Sequence, residues 1–280
     1  MTAMTRELPA DGYVLARDHE EYERLRLQAR AFEPATGRLL DEVGLARRAR
    51  CLDAGCGPGE TMRLMAQRVG PRGRVVGIDL DERLGAQAIR ALHAAGHRQC
   101  TFACVDITGE EPIPGAPFDL VYARLLLLHL PDPLPALRRL WDAVAPGGHL
   151  LVQDYDLRSI DVSPPLATLT EFTRVIHAAF TGAGRHVDLG HRLPLLMAEA
   201  DIGWPDGTDV AGRLRPLAEC AAEIAGVYRS LLPGALALGI VTEDDADAWF
   251  DAFARDVKRF PYTATLMPLM MGAWKRKLSA

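Results

Sequence analysis

The sequence lacks the features that mark several large classes of protein. Its 280 residues include only five cysteines, with no CxxC pair and no Cys/His cluster. This pattern argues against a disulfide framework and against a structural zinc site. No apolar run reaches the ~18–20 residues of a membrane-spanning helix, and residues 1–12 have no stretch typical of a signal peptide. We therefore expect a cytoplasmic protein with no membrane partner.

The chain also lacks an excess of basic residues. Lysine and arginine total 32 against 37 aspartates and glutamates, which gives a net charge of -5. Proteins that bind nucleic acids normally present a concentrated basic face, so we expect no nucleic-acid partner. The hydrophobic fraction of 49% is that of an ordinary globular chain with a sizeable core.

From residue 50 onward, the hydrophobic pattern alternates between short strands and helices. The predicted strands are apolar runs at 51–54, 74–79, 101–105, 118–123 and 150–153. The predicted helices between them span 61–69, 82–95 and 133–145, the last ended by Pro146-Gly147-Gly148. Continuous apolar strands that alternate with helices predict an α/β fold with a parallel sheet covered on both faces.

Two further regions flank this alternating core. Apolar residues before Pro34 recur at helical spacing, and Pro34 ends that predicted helix. After Tyr155, several helical stretches follow, one of them opened by a capping box of Thr242 and Asp245. We expect the apolar stretch 262–274 to form an edge strand. The C-terminal region is interpreted as the remaining strands of the sheet with helical insertions that form a cap.

The most informative segment is a glycine-rich loop between the first predicted strand and the helix that follows it. Gly55, Gly57 and Gly59 let the chain turn sharply and bring bare backbone against a ligand. The helix that the loop opens offers free N–H groups and a partial positive charge. The spacing is GxGxG, not the GxGxxG of dinucleotide-binding proteins, and Glu60 would face a pyrophosphate unfavourably. The loop therefore argues against a nicotinamide cofactor.

Three carboxylates follow three of the predicted strands. Asp53, Asp79 and Asp106 stand at or just after the carboxyl ends of successive strands, and ligands of open α/β sheets bind at that rim. Asp79 is placed to accept both hydroxyls of a ribose. Asp106 suits an adenine amino group, and Asp53 suits a cationic ligand. A positively charged nucleoside with an amino-acid tail satisfies all three, and S-adenosyl-L-methionine is such a molecule.

These motifs carry a resemblance to a known family. The sequence resembles class I S-adenosyl-L-methionine-dependent methyltransferases in LDAGCGPGE, VVGIDLDE, CVDI, FDLVYARLLLLHLPDP and LWDAVAPGGHLLVQD, in family order. The segment YVLARDHEEYERLRLQARAFEP resembles the N-terminal helix of small-molecule methyltransferases of bacterial specialised metabolism. The resemblance implies a Rossmann-like, doubly wound, mostly parallel seven-stranded sheet with an N-terminal helical lid and helical cap insertions.

The same resemblance implies a division of the chain and a set of cofactor-binding residues. Residues 1–46 would form the lid, 47–155 the cofactor-binding core, and 156–280 the rest of the sheet with an acceptor-binding cap, in a single domain overall. The implied cofactor is S-adenosyl-L-methionine, with S-adenosyl-L-homocysteine as its product and no metal. The residues implied to bind it are Tyr13, Gln28, Asp53, Gly55, Gly57, Gly59, Asp79, Leu80, Asp106, Ile107 and Arg124.

Methyl transfer from a sulfonium is an in-line displacement, so the enzyme mainly aligns the reactants and excludes water. A hydroxyl, ammonium or indole acceptor must also lose a proton, which a base with a pKa near neutrality can take. His129 is the first candidate, since it follows the fourth predicted strand on the binding rim. A second interpretation is that His129 only ties down its loop by a hydrogen bond. Tyr155 and Asp154 are further candidates to face the acceptor.

The sequence indicates the chemical class of the methyl acceptor but not its identity. Aromatic and aliphatic residues of the cap favour an apolar or aromatic small molecule, methylated on carbon, nitrogen or oxygen. Three alternatives stay open: an RNA or protein methyltransferase, a nicotinamide-dependent oxidoreductase, and a catalytically silent subunit that only binds the cofactor. The apolar C-terminal strand and cap favour a homodimer.

Overall fold

The computed structural model describes residues 19–279, with side chains from Tyr22 onward. The α-helices of this part are α1 His19–Ala31, α2 Glu33–Glu42, α3 Glu60–Val69, α4 Glu82–Ala94, α5 Leu134–Asp142, α6 Ala167–Gly182, α7 Leu189–Glu199, α8 Leu217–Ala237 and α9 Glu243–Arg259. Its strands are β1 Arg50–Ala54, β2 Arg74–Asp79, β3 Cys100–Cys104, β4 Phe118–Arg124, β5 Val144–Asp156, β6 Asp161–Ser163, β7 Gly207–Ala211, β8 Leu214–Pro216, β9 Ala264–Leu266 and β10 Leu269–Arg276.

The main sheet has seven strands in the order β3-β2-β1-β4-β5-β10-β7. Strands β3, β2, β1, β4 and β5 pair in parallel. The order reverses between β1 and β4, as in doubly wound α/β folds. The predicted fold class, an α/β Rossmann-like and mostly parallel sheet of seven strands, is confirmed.

The core of this sheet explains why its strands are almost continuously apolar. Four of the five residues of β1 are buried, because helices cover both faces. On one face α2 and α3 contribute Leu39, Leu40, Met62 and Met65, which pack with Tyr122 of β4. This face supports the strand ends at which the polar residues gather.

Two boundaries expected from the sequence are wrong. The predicted helix 133–145 ends at Asp142, and Pro146-Gly147-Gly148 lies inside β5 instead of stopping a helix. The N–H of Gly147 donates to the carbonyl of Lys277 at 2.8 Å, so a distant segment keeps this stretch extended. A Cβ on Gly148 would lie 2.8 Å from the carbonyl oxygen of Asp119, which explains why glycine is needed there.

The apolar stretch 262–274 also differs from the expectation. It divides into β9 and β10, and β10 lies between β5 and β7 and not at the edge of the sheet. Strand β9 instead joins β6 and β8 in a separate antiparallel sheet. Pro268 stands between the two strands. The sheet that each strand joins depends on partners far along the chain, which the local pattern does not contain.

The chain divides into two compact units. The described residues of the first unit are 19–24, 155–188 and 211–270, and those of the second are 25–154, 189–210 and 271–279. The predicted division at residues 46 and 155 stays a prediction.

The first unit is built around stacked aromatic rings. The rings of Tyr228 and Trp249 stack with centroids 3.8 Å apart, and Phe253 stacks on the indole at 4.8 Å. The indole N–H of Trp249 donates to the backbone carbonyl of Thr168 at 2.8 Å. The predicted capping box of Thr242 and Asp245 opens α9, so that prediction is confirmed.

Candidate functional site

The glycine loop of the second unit folds back over the end of β2. Gly55, Gly57 and Gly59 have φ values of 67°, 47° and 78°, a region that side chains with a Cβ rarely adopt. The N–H groups of Gly55 and Cys56 donate to the carbonyl of Ile78 at 2.8 and 3.0 Å. A Cβ on Gly57 would meet nothing within 4 Å, so open space lies above the loop at that residue.

Asp79 ties this loop to the end of β2. Its Oδ2 accepts a hydrogen bond from the Gly57 N–H at 2.9 Å, and its Oδ1 accepts one from the Asp81 N–H at 3.0 Å. Burial raises the pKa of this carboxyl above its usual value, while the two N–H donors oppose that shift. An ionised carboxylate has about four acceptor positions, so Asp79 keeps acceptor capacity beyond these two bonds.

Asp53, near the end of β1, is a buried carboxylate with an unsatisfied oxygen. It is 2% exposed, and its Oδ2 has no hydrogen-bond partner among the described residues. Burial raises the pKa of Asp53 to about 7, whereas the positive charge of Arg124 lowers it. Buried polar atoms are normally paired, so this oxygen fits a cationic or hydrogen-bond-donating ligand.

The residues expected around an adenine follow β2 and β3. Leu80 is 48% exposed, and Ile107 is buried. The exposed Asp106 turns back on its own chain, since its Oδ1 accepts from the N–H and the hydroxyl of Thr108 at 2.8 and 2.7 Å. Strands β1, β2 and β3 are neighbours, so the carboxylates after them gather at one rim.

Two expected residues belong to the N-terminal segment. Gln28 lies in α1 and is partly buried, whereas Tyr13 lies outside the described residues.

Glu60, which would repel a pyrophosphate if it stood alone, is neutralised by arginines. It opens α3 with its side chain only 10% exposed, and its carboxylate oxygens lie 3.8, 3.4 and 3.2 Å from nitrogens of Arg26, Arg30 and Arg63. With its charge compensated, Glu60 would repel a pyrophosphate less than the sequence suggests, so the GxGxG spacing is the feature that disfavours a dinucleotide.

His129 lies in a short 3-10 turn, Leu127–His129, which is separated from the end of β4 by two residues. The buried carboxylate of Asp154 accepts from the N–H groups of Leu127 and Leu128 at 3.1 and 3.3 Å. Asp154 therefore supports the turn that carries His129, a role that the sequence reasoning missed. His129 is partly buried, and Tyr155, in β5, is buried.

The sequence reasoning also missed three buried polar side chains beside Arg124. Thr36, Tyr122 and Gln153 form a hydrogen-bonded group at the carboxyl ends of β4 and β5. Arg124 donates to the Thr36 hydroxyl at 3.1 Å. The only signal for this group in the sequence is a glutamine inside the apolar run of β5.

Between residues 19 and 279, no group of three or more His, Cys, Asp or Glu side chains is placed to hold a metal ion. In the same range, no helix is long and apolar enough to cross a membrane.

Comparison with known proteins decides the family. The sequence matches the family described as "Methyltransferase domain" over residues 17–200. The chain belongs to this methyltransferase family. It is a class I S-adenosyl-L-methionine-dependent methyltransferase, as the resemblance predicts, which confirms both the enzyme class and the cofactor.

Individual relatives agree with this assignment. The methyltransferase is 32% identical over 224 residues to a trans-aconitate 2-methyltransferase of Methylobacterium nodulans, covering 69% of this chain and 81% of the relative. It is 28% identical to the methyltransferase str2 of Strobilurus tenacellus, with 80% of each chain covered. The crystal structure of a putative methyltransferase from Bacillus halodurans shares its fold, with a TM-score of 0.58, 16% identity, and coverage of 87% of this chain and 99% of that chain.

Proposed function

We propose that the rim of the second unit binds S-adenosyl-L-methionine through Asp53, Gly55, Gly57, Gly59, Asp79, Leu80, Asp106, Ile107 and Arg124. The main support for this proposal is the buried Oδ2 of Asp53 beside the glycine loop. This oxygen has no hydrogen-bond partner among the described residues, so it can bind a cation or a hydrogen-bond donor of the ligand. Asp79 has acceptor positions left for ribose hydroxyls after its bonds to Gly57 and Asp81. Tyr13 and Gln28 are proposed to close over the cofactor.

When bound, this cofactor supplies a methyl group on a cationic sulfur that is activated for in-line displacement. The chain's own residues hold the cofactor and handle the proton of the acceptor. His129 is proposed to take that proton on a ring nitrogen. The Asp154 carboxylate keeps the turn of His129 in place through its two backbone hydrogen bonds. Tyr155 is the second residue proposed to act on the acceptor.

We propose a small molecule as the acceptor, of the apolar or aromatic class and of specialised metabolism. This class has less support than the cofactor, because Phe172, Tyr228, Trp249 and Phe253 pack in the core of the first unit. A second candidate is a small polycarboxylate, favoured by the relatives that are trans-aconitate 2-methyltransferases. The homodimer and the cytoplasmic location stay predictions.

Methyl transfer to a defined panel tests this proposal. The purified full-length chain is incubated with methyl-labelled cofactor and trans-aconitate, substituted phenols and indoles, bulk RNA, or a bulk protein mixture. We expect label on a small molecule, with an ester product if trans-aconitate is the acceptor. Label only on RNA or protein would contradict the small-molecule proposal. Saturable binding of NAD with no binding of S-adenosyl-L-homocysteine would contradict the cofactor site.

A further inference from the structure

A chain of buried hydrogen bonds joins α2 to the ends of β4 and β5. The Tyr122 hydroxyl donates to Oε1 of Gln153 at 2.5 Å, and the Thr36 hydroxyl donates to the same oxygen at 2.9 Å. The guanidinium Nη1 of Arg124 lies 3.1 Å from the Thr36 oxygen. Thr36, Tyr122 and Gln153 are all fully buried. We call Thr36, Tyr122 and Gln153 the buried polar network.

The direction of these hydrogen bonds makes Thr36 an acceptor for Arg124. A threonine hydroxyl has one proton and two lone pairs. Because that proton is directed to Gln153, the Thr36 oxygen is left to accept the guanidinium N–H. The network therefore presents a fixed acceptor to a side chain that otherwise has many rotamers.

Strand register places Asp53 on the same face of the sheet. Asp53 pairs with Tyr122 across β1 and β4, and Arg124 pairs with Gln153 across β4 and β5. Registered residues of parallel strands share a face, as do residues two apart on one strand. Asp53 and the Arg124 side chain thus lie on the face that carries the buried polar network, and Arg124 lowers the pKa of Asp53.

We propose that the buried polar network is a positioning device that holds the Arg124 guanidinium on the face of the sheet that carries Asp53, so that a larger fraction of Asp53 is ionised to receive the ammonium group of the cofactor. This inference rests on the proposed role of Asp53 in cofactor binding. It assigns Thr36, Tyr122 and Gln153 a function without contact to the cofactor. Both hydroxyl groups of the network donate to the oxygen of Gln153, whereas its buried amide nitrogen has no hydrogen-bond partner among the described residues.

None of the other titratable groups described near Asp53 supplies a positive charge that would lower its pKa. Asp79 on β2 adds a negative charge that raises the pKa of Asp53. Tyr122 on β4 has its pKa raised to about 12, and burial raises the pKa values of Cys51 on β1, Cys56 in the loop and Cys100 on β3. These four groups are neutral near pH 7. Arg124 is thus the cation that opposes burial at Asp53.

Affinity for S-adenosyl-L-homocysteine, measured by calorimetry on the full-length chain between pH 5.5 and 8.5, tests the inference. Burial raises the pKa of Asp53 to about 7, so affinity should rise with pH across this range as Asp53 loses its proton, by up to about 30-fold if only the ionised carboxylate binds. In R124Q the midpoint should move up by about one pH unit, because the positive charge that lowers the pKa of Asp53 is removed. T36V, which has the same shape without the hydroxyl, should move it in the same direction.

Matched variants separate positioning from loss of structure. T36S keeps the hydroxyl, so it should retain a midpoint near the wild-type one. Y122F removes one donor to Gln153 without emptying the core, and it should shift the midpoint slightly upward even if T36V folds poorly. Thermal melting of each variant reports the folded fraction.

The outcomes distinguish this inference from the function on which it rests. Weak, pH-independent binding by D53N together with wild-type midpoints in R124Q, T36V and Y122F would overturn the positioning role and leave the cofactor site standing. Wild-type affinity and pH response in D53N would remove the role of Asp53 and this inference with it. Upward shifts in R124Q and T36V, with none in T36S, support the inference.

Discussion

Asp154 is a buried carboxylate that supports the turn of His129, the residue proposed to take the proton of the acceptor. It is fully buried near the end of β5, and it accepts hydrogen bonds from the backbone N–H groups of Leu127 and Leu128 in that turn. Charge-assisted hydrogen bonds to backbone N–H groups are among the stronger ones in proteins. Cofactor binding and proton transfer are thus proposed to belong to different side chains, Asp79 and His129.

This separation predicts different defects in two variants. D79A should weaken S-adenosyl-L-homocysteine binding by about 10- to 100-fold, because hydrogen bonds to a charged group contribute about 1.5–3 kcal/mol. H129A should leave that affinity within about threefold of wild type, yet lower turnover by about 10²-fold or more, the usual contribution of a general base. Calorimetry and single-turnover methyl transfer measure the two effects. Equal loss of affinity in both variants would contradict the separation.

Some residues of the candidate site have a local signal in the sequence, and others have none. A positive φ favours glycine at Gly55 and Gly57, and Asp79 stands at the end of a strand. Neighbouring residues in the sequence are enough to predict both features. Thr36 and Gln153 are 117 positions apart in the chain. Only the fold brings them together, so no local sequence pattern predicts their hydrogen bond.

Among the secondary-structure elements, α1 and the start of α3 are linked by ion pairs of Glu60. A carboxylate in the first turn of a helix is stabilised by the free N–H groups and the helix dipole. Two of its arginine partners, Arg26 and Arg30, come from α1, and Arg63 comes from α3 itself. Arg63 also pairs with Glu33 of α2 at 2.5 Å. Three helices thus share one charged cluster next to the glycine loop.

We expect E60Q to loosen this cluster. The carboxylate is mostly buried but its arginine partners reach solvent, with side chains 38%, 58% and 26% exposed. The loss should thus be about 1–2 kcal/mol of unfolding free energy, between the values for exposed and buried ion pairs. Hydrogen exchange should speed up in residues 25–31. The matched control E42Q changes an exposed glutamate on α2 and should stay within about 0.5 kcal/mol of wild type. Equal exchange in both variants would contradict the fastening role.

Element boundaries were predicted well where the signal was local. Strand β2 was predicted with its observed bounds, and β1 differs by one residue. The start of β5 was missed because Pro146-Gly147-Gly148 resembles a helix stop. Its extended conformation depends on pairing with Lys277, far along the chain, which no local pattern contains.

At the scale of the whole molecule, the two units have different chemical characters. The polar strand ends and the glycine loop belong to the second unit, whereas the stacked rings of Phe172, Tyr228, Trp249 and Phe253 form the interior of the first. Stacked aromatic pairs contribute about 0.5–1.5 kcal/mol beyond the area they bury. The rings on which the sequence argument for an aromatic acceptor depended are therefore better explained as structural.

This assignment predicts that stability and cofactor affinity respond separately to changes at Trp249. W249A should lower the free energy of unfolding by about 3–5 kcal/mol, the usual cost of emptying a large aromatic site. W249F keeps much of the ring stack and loses the N–H bond to the Thr168 carbonyl, so it should cost about 1 kcal/mol or somewhat more. Urea unfolding measures both losses. Calorimetry with S-adenosyl-L-homocysteine should give wild-type affinity for folded W249F, because Asp53, Asp79 and the glycine loop all lie in the second unit. A W249F protein of normal stability that binds the cofactor or a methylated acceptor poorly would show instead that these rings line a binding site.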